Sequence, residues 1–340
     1  MNTNSLFENL TPLLLSNSSC SMPDNVNWLM LSNGAADLND NVIFYGFEGK
    51  CAEPSFVAKV PRLPNNARVI KTEYECLTEL FSRMGVDAVK YLPEPLAFFE
   101  AGKQSVLVIS YVRGEGLLYS AKKKLWHDPE RVLVLSQEVA ISLRRLHDKI
   151  SERLTDNEKI SLDFHRKIES FVDIYKPVSY ERNALLMLAD RYSAQITNCK
   201  TMIQGDFWHG NIIRSSEFNS LVFIDWQYAH WSTDVSLDVY LFLLAGAVAI
   251  SQGSDKERAR STIDTLRQWQ SKVIPAYLAA YGEVKGFSLL PVKYGMMLCC
   301  VEKAVRPTLV FGCKQSDDLI WRNLFTELVN ISDDGFLNGI

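Results

Sequence analysis

The sequence lacks the cysteine patterns of a disulfide scaffold or a zinc site. Its seven cysteines are odd in number and scattered, and they form no C-x-x-C pair. Small secreted proteins usually carry even, closely spaced sets of cysteines, and cysteine zinc sites usually carry close pairs. The pattern argues against both classes and indicates a protein of a reducing compartment.

An excess of positive charge is also absent. The chain has 36 Lys and Arg residues against 40 Asp and Glu residues, which gives a formal net charge of −4. Proteins that bind nucleic acid usually show a basic patch or a basic overall balance. Nucleic acid is therefore not an expected partner.

Long hydrophobic runs are missing as well. The longest apolar stretch, Val239–Ile250, is shorter than the roughly 20 residues that a membrane-spanning helix needs. The first 19 residues have no basic start and little apolar character, so they do not resemble a signal peptide. We expect a soluble, cytoplasmic protein without membrane association, whose oligomeric state the sequence leaves open.

The first third of the chain has a β-rich pattern interrupted by one helix. Short β-rich runs lie at 41–47 and 55–60, and 95–112 has the pattern of a hairpin. Between them, residues 69–85 repeat apolar positions every three or four residues and end in glycine, which predicts an amphipathic helix. We predict a β-rich amino-terminal lobe over residues 1–113.

After a polar segment that contains Gly114 and Gly116, the pattern becomes mainly helical. The exception is 202–227, which has the pattern of a strand, a turn and a second strand. The whole chain is therefore predicted to be α+β, with a larger helical lobe over 114–340. Helices are expected at 128–147, 166–196, 234–251, 255–281, 291–304 and 316–331.

The stretch QGDFWHGNIIRSSEFNSLVFIDWQ (204–227) concentrates polar side chains around a predicted hairpin. Asn211 begins one strand and Asp225 ends the other, so antiparallel pairing would place them at the same end. The Gly-Asp turn that holds Asp206 leads into that end. An Asp and an Asn suit Mg²⁺, and a nearby carboxylate can take a proton from a hydroxyl. These are the parts of phosphoryl transfer.

The same residues resemble the aminoglycoside phosphotransferase and choline kinase family, small-molecule kinases with a two-lobed protein-kinase-like fold. That family has the pattern H-G-D-x-x-x-x-N followed by I-D-[WF]-[EQ], and this chain has Q-G-D-F-W-H-G-N and I-D-W-Q. The resemblance implies Asp206 as the catalytic base and Asn211 and Asp225 as Mg²⁺ ligands. Gln204 stands where the family has histidine.

The resemblance also implies a nucleotide site in the first lobe. Lys59, in SFVAKV, would contact the α- and β-phosphates of ATP or GTP, as the lysine of V-A-I-K does in protein kinases. Its partner would be Glu73 in the following helix, in preference to Glu75. Backbone groups of Ser110 and Val112 would meet the adenine edge.

Three further segments add less to the site. Two of them resemble the family in structural positions, and the third resembles it only weakly. His147 and Asp238 fall in helix segments typical of these kinases and are interpreted as structural. The phosphate loop is the weakest match, because residues 32–45 contain one glycine where protein kinases have three.

The predicted activity is phosphorylation of a small molecule's hydroxyl by ATP or GTP, with an aminoglycoside, amino sugar, sugar or amino alcohol as acceptor. An aminoglycoside would require an acidic pocket. The candidate acids for it are Glu302, Asp317 and Asp318, although acids are also common on helix surfaces.

Two other functions remain open in the sequence. Gln204 would suit a pseudokinase that binds nucleotide without turnover, and His209 and His230 beside the two carboxylates would suit a metal hydrolase. Aromatic residues near the site could form a cation–π box for a choline-like group, although packing is the more usual role. They are Trp208, Trp226, Tyr228 and Trp231.

Overall fold

The structure is a computed structural model that describes residues 25–32, 40–101, 104–117, 126, 128–154, 163–195, 197–284, 286–312 and 318–331. The described chain forms two compact units. One comprises the residues up to Glu115 together with Ile213–Ala229, and the other comprises Gly116–Ile212 together with the residues from His230 onward.

The first unit contains an antiparallel five-stranded sheet. Its strands are β1 (Val26–Ser32), β2 (Asn41–Glu48), β3 (Phe56–Pro61), β4 (Pro95–Ala101) and β5 (Gln104–Ser110), in the order β1-β2-β3-β5-β4. β2 to β5 were expected from the sequence, but β1 was not. Its outward residues include Leu29 and Leu31, more than half exposed, and these leucines hide the apolar–polar alternation that indicates a strand.

One helix of this unit, α1 (Ala67–Met84), was predicted from its periodicity. Its buried residues are Val69, Ile70, Glu73, Cys76, Leu77 and Leu80. They follow the spacing of three and four that places side chains on one face of a helix. Gly85 ends the helix with a φ of 57°, a conformation that glycine adopts without strain. The presence of one buried glutamate among the apolar residues is the first indication of a site.

The segment Ile213–Ala229 carries the predicted hairpin and belongs to the first unit, although the sequence placed it in the second lobe. Its strands are β9 (Ile212–Ser215) and β10 (Leu221–Phe223), which form a small sheet with β6 (Gly114–Gly116). Backbone bonds explain the assignment. Phe223 N–H donates to the Tyr91 carbonyl at 2.7 Å, and Ser216 N–H donates to the Arg113 carbonyl at 3.0 Å.

The second unit is mainly helical and holds one small sheet, in the order β11-β8-β7. The strands are β7 (Glu152–Arg153), β8 (Cys199–Ile203) and β11 (His230–Ser232). The helices are α2 (Pro129–Ile150), α3 (Asp163–Tyr175), α4 (Ser179–Ala194), α5 (Ser236–Ile250), α6 (Asp255–Trp269), α7 (Val273–Tyr281), α8 (Val292–Phe311) and α9 (Asp318–Val329).

The helix predictions were right in position but wrong in three of their lengths. The helix expected over 166–196 is two helices, because Lys176 has a φ of 47° and Pro177 follows it. The helix expected over 255–281 is likewise divided into α6 and α7. In contrast, α8 continues past the expected end at 304 and accommodates Pro307 within its last turns.

Helix α5 contains the longest apolar run and is a core helix, as the sequence suggested. Thirteen of its residues, from Ser236 to Val248, are buried. Among the described helices, none is by itself long and apolar enough to cross a membrane. Only α5 and α6 taken together, with a bend of 119° between them, meet that test of length and composition.

Candidate functional site

Strand β3 directs one lysine away from the apolar core of the sheet. Phe56, Ala58 and Val60 pack in that core, so alternation along the strand places Lys59 on the opposite face, as predicted. The Lys59 side chain is nevertheless buried, and only 8% of it is exposed. A buried ammonium is costly unless it is paired, and this one has three carboxylate oxygens around it.

The partners of Lys59 come from α1 and from the hairpin segment. Lys59 Nζ lies 2.7 Å and 2.8 Å from the two carboxylate oxygens of Glu73 and 2.8 Å from Asp225 Oδ1. Glu73 Oε1 also accepts the Trp226 N–H at 3.2 Å. Glu75, the competing glutamate, is exposed, and its nearest cation is Lys71 at 3.9 Å. The structure thus brings Lys59, Glu73 and Asp225 together in one cluster.

This cluster keeps Lys59 charged. Burial alone would lower the pKa of the ammonium group, but Asp225 and Glu73 oppose that effect, and the pKa of Lys59 is raised above its ordinary value. Lys59 therefore carries a positive charge at neutral pH, and its three N–H bonds are directed at three carboxylate oxygens.

Asp225 is held in an unusual backbone conformation immediately after β10. Its φ is 64°, a left-handed value that non-glycine residues adopt rarely and at a cost. Gln227 Nε2 donates to Asp225 Oδ2 at 3.4 Å, and Gln227 Oε1 accepts from Asn41 Nδ2 at 3.3 Å. About a quarter of the Asp225 side chain remains exposed, at 26%. Its carboxylate is thus oriented but still accessible to a ligand.

In the second unit, a carboxylate from the start of α5 fixes the loop that follows β8. Asp238 accepts the backbone N–H of Gln204 at 2.7 Å and that of Gly205 at 2.8 Å. Asp238 Oδ2 also lies 3.6 Å from His147 Nε2, and His147 Nδ1 lies 2.8 Å from the Tyr281 hydroxyl. Asp238 and His147 are both fully buried, so they support the loop and do not meet solvent.

Gln204 itself supports the predicted catalytic residue. Its side-chain Oε1 accepts the backbone N–H of Asp206 at 2.8 Å. Asn211 closes the loop from the other side, because its Nδ2 donates to the Asp206 carbonyl at 3.0 Å and lies 3.5 Å from Asp206 Oδ2. Asp206 and Asn211 thus form a second cluster, and the glutamine acts as a scaffold residue for it.

Two cations that the sequence analysis missed bind the Asp206 carboxylate. Lys303 Nζ lies 2.6 Å and Arg306 Nη1 3.0 Å from Asp206 Oδ1, and Arg306 Nη2 also donates to the Gly205 carbonyl. Both come from α8, where a spacing of three places them on one face. A signal for them was the charged segment VEKAVR (301–306) inside an otherwise apolar helix.

The two cations decide the charge of Asp206. Burial would raise the pKa of this carboxyl, but Lys303 and Arg306 outweigh it, and the pKa of Asp206 is lowered below its ordinary value. Asp206 is therefore an ionised hydrogen-bond acceptor whose Oδ1 is occupied by cations. A weakly basic carboxylate of this kind is suited to orienting a hydroxyl.

Glu302, one of the acids proposed for an aminoglycoside pocket, is neutralised within the protein. It is buried, with Lys167 Nζ 2.8 Å and Arg306 Nη2 3.5 Å from its carboxylate oxygens. Burial would raise the pKa of Glu302, but the two cations hold it at about 2. Asp317 lies outside the described residues, and the structure describes only the backbone of Asp318.

The ion pairs of Glu302 lead to a prediction for acid stability. Because the folded-state pKa is depressed, the stabilisation exists above the unfolded pKa of about 4.3 and is lost as the pH falls towards 2. We expect about 3 kcal/mol of the unfolding free energy to be lost in this window through Glu302. Denaturant unfolding at pH 5 and pH 2 should therefore show a smaller difference for Glu302→Gln than for the wild type. The exposed Glu217→Gln variant should behave like the wild type, and an equally steep profile for Glu302→Gln would contradict the assignment.

The aromatic and histidine residues near the loop are mostly packing residues. Trp226 is fully buried, and its Nε1 donates to the Phe223 carbonyl at 2.8 Å. His209 lies against the rings of Trp126 and Trp208, and burial lowers its pKa to about 4, so it is neutral. Within the described part of the chain, no group of three or more His, Cys, Asp or Glu residues is placed to hold a metal ion.

The predicted adenine contacts lie at the end of β5. The Ser110 N–H donates to the Glu94 carbonyl at 2.9 Å, so this group would not take part in binding a nucleotide base. The weakly matching phosphate loop includes residues 33–39, which lie outside the described residues.

No protein-family model matches the chain, and no curated protein matches its sequence. Solved structures do match its fold. A protein from Ralstonia eutropha described as an aminoglycoside phosphotransferase aligns with a TM-score of 0.51 at 12% identity, over 95% of each chain. A protein from Haemophilus somnus described as a fructosamine-3-kinase aligns with a TM-score of 0.55 at 9% identity, over 96% of this chain and 98% of that one. The predicted α+β, protein-kinase-like fold of small-molecule kinases is thus confirmed.

Proposed function

We propose that this protein, which has the fold of small-molecule kinases, is a phosphotransferase that moves the terminal phosphoryl group of ATP or GTP to a hydroxyl of a small molecule. The observation that carries the proposal is the pair of clusters. In one, a buried lysine is charged and held by two carboxylates. In the other, Asp206 is ionised in a loop fixed at both ends. Phosphoryl transfer needs little from a protein beyond such positioned charges.

The nucleotide would bind to the first unit through Lys59 and the end of β5. All three Lys59 N–H bonds are used by Glu73 and Asp225, so binding a phosphate oxygen requires Lys59 to give up one of them. The bond to Asp225 is the one to exchange, because Glu73 is completely buried and Asp225 is not. The adenine or guanine edge would meet the Ser110 carbonyl and the Val112 N–H.

The proposal includes a hard divalent cation such as Mg²⁺, for which Asp225 and Asn211 would each supply a ligand oxygen. The Asn211 amide nitrogen is bonded to the Asp206 carbonyl, so Oδ1 would be its ligand atom, and an Asp225 carboxylate oxygen would be the other. Oxygen ligands of these two types are the ones that Mg²⁺ prefers. When bound, the ion would neutralise charge on the phosphate oxygens.

Asp206 would act on the acceptor. Its Oδ1 is held by Lys303 and Arg306, so Oδ2 is the atom that accepts the acceptor O–H. As the acceptor oxygen bonds to phosphorus, the bond from phosphorus to the nucleoside diphosphate breaks and the proton passes to Asp206. Lys59 remains beside the charge that develops on the departing phosphates. The contribution of the chain is orientation and electrostatic stabilisation.

The proposal is tested by measuring nucleotide consumption with Mg²⁺ over a panel of acceptors. The panel contains simple sugars, amino sugars, amino alcohols and aminoglycosides, with ATP and GTP as donors. Acceptor-dependent release of nucleoside diphosphate is expected. Tight nucleotide binding without release on any acceptor would instead favour the pseudokinase, for which the glutamine at position 204 is the one supporting feature.

The scaffold role of Gln204 gives a separate prediction. In Gln204→Ala the buried N–H of Asp206 loses its acceptor, which typically costs about 1–3 kcal/mol, and Asp206 loses a support. We expect a lower unfolding free energy of that size and a kcat reduced by about tenfold, whereas Gln204→His should retain activity. The exposed Gln252→Ala is the matched control. Full activity and stability in Gln204→Ala would show that the glutamine does not hold the loop.

A further inference from the structure

A cavity in the second unit is linked to the proposed catalytic carboxylate through two ion pairs. It has a volume of about 260 Å³ and is lined by residues of α3, α4, β8, β11, α5 and α8. Glu302 is in its wall, and Glu302 is joined through Arg306 to Asp206. Ile203, also in its wall, ends the strand that leads directly into Gln204. A molecule in this cavity would therefore be next to the Asp206 loop.

The volume indicates how much of an occupant the cavity can enclose. A cavity of roughly 150 Å³ accommodates one benzene ring, so a cavity of about 260 Å³ holds roughly ten to twelve non-hydrogen atoms. That is the size of a single six-membered sugar or cyclitol ring. A compound of three linked amino-sugar rings would extend beyond this space into solvent.

The lining indicates a polyhydroxy compound. Phe164, Tyr192 and Trp231 supply aromatic surface, and the rings of Phe164 and Tyr192 pack against each other with their centroids 4.6 Å apart. Such surface packs against ring C–H groups. Lys167, paired with Glu302 at 2.8 Å, offers charged donors and acceptors in the same wall. A few polar groups among aromatic ones are the usual composition of a site that fixes the orientation of a small ligand.

The charged groups of the cavity wall described here are bonded to partners within the protein. Lys167, Glu302, Arg306, Asp206 and Lys303 form a continuous chain of ion pairs with three cations and two carboxylates. Asp234, the other carboxylate in the wall, accepts hydrogen bonds from the N–H and hydroxyl of Ser236 at 3.1 Å and 2.7 Å. Every carboxylate of this set is thus already bonded within the protein. A multiply charged amine would have to displace these partners.

We infer that the acceptor of this protein is a neutral polyhydroxy compound of about one sugar ring, bound in this cavity. That the bound compound is the phosphoryl acceptor rests on the proposed function, whereas its binding in the cavity does not. Lys167 and Glu302 would bond to its hydroxyl groups, and the three aromatic residues would pack on its ring. This specificity distinguishes the chain from a kinase for polycationic antibiotics.

Binding is tested without nucleotide, by saturation-transfer NMR on the full chain. The neutral probes are D-glucose, D-fructose, D-ribose and myo-inositol, and the cationic probes are D-glucosamine and kanamycin. Leu298→Phe fills part of the cavity, since Leu298 is in its wall. Leu186→Phe is the matched control, because Leu186 is 62% exposed. If Leu298→Phe does not fold, Lys167→Gln replaces it.

At least one neutral probe is expected to bind to the wild type and to Leu186→Phe, and at least tenfold more weakly to the cavity variant. Kanamycin is expected to give no signal that the cavity variant removes. The inference is overturned if no neutral probe binds, or if kanamycin binds in the cavity. If a neutral probe binds but no acceptor supports nucleotide turnover, the proposed function is refuted and the binding site is not. If kanamycin is the one acceptor that is phosphorylated, the inference is refuted and the proposed function is not.

Discussion

The Asp206→Asn variant is expected to lose about 10²–10⁴-fold in kcat, the usual contribution of a positioned acid or base. Asparagine preserves the shape of the side chain but cannot take the acceptor proton. The nucleotide dissociation constant should stay within about twofold of the wild-type value, because Lys59 and the end of β5 belong to the other unit and asparagine keeps the backbone carbonyl that bonds to Asn211. Steady-state kinetics and titration calorimetry measure the two quantities.

Loss of the Asp206 charge also deprives the partly buried Lys303 and the buried Arg306 of this carboxylate, so the variant needs a stability control. Lys303→Met alone and the double variant Asp206→Asn/Lys303→Met separate the effects. The double variant removes one cation with the carboxylate and should recover part of the lost unfolding free energy, but it should recover no activity. Turnover at the wild-type rate in a folded Asp206→Asn protein would refute the role of Asp206.

The Lys59→Ala variant is expected to weaken nucleotide binding by at least tenfold, to lower turnover, or to do both. The change removes the one cation between Glu73 and Asp225, and a single partner taken from a buried ion pair typically costs about 3–5 kcal/mol of stability. Nucleotide affinity is measured by calorimetry and stability by denaturant unfolding. Lys50→Ala, an exposed lysine of the same unit, is the matched control.

The effects of Lys59 on stability and on binding can be separated. In Lys59→Met/Glu73→Gln the cation and its fully buried partner are both neutral, so the unfolding free energy should be nearer to the wild-type value than in Lys59→Ala. Nucleotide affinity should remain low in both. If both variants bind and turn over nucleotide as the wild type does, Lys59 has no part in the reaction and the nucleotide site lies elsewhere.

Local patterns were sufficient to predict the elements that carry the site. The alternation in SFVAKV indicates which way Lys59 faces, and the resemblance to small-molecule kinases favoured Glu73 over Glu75. The order of elements, β-rich first and helical afterwards, gave the fold class. These features depend on residues that are close in the sequence, and for that reason they can be predicted from it.

What the sequence did not reveal depends on distant contacts. Lys303 and Arg306 reach Asp206 from about 100 positions away, and no local pattern links them to it. Glu302 looked like an available acid, but Lys167 neutralises it from another helix. The hairpin was assigned to the helical lobe because it follows that lobe's helices in sequence, whereas its backbone bonds reach Tyr91 and Arg113 in the first unit.

The most direct test of the account is mass spectrometry of the products formed with Mg²⁺, ATP or GTP and the neutral single-ring acceptors. The account predicts an acceptor that gains one phosphoryl group, one nucleoside diphosphate for each acceptor phosphorylated, and no product with Asp206→Asn. Absence of a phosphorylated acceptor with every compound of the wider panel, from a folded protein that binds nucleotide, would contradict it.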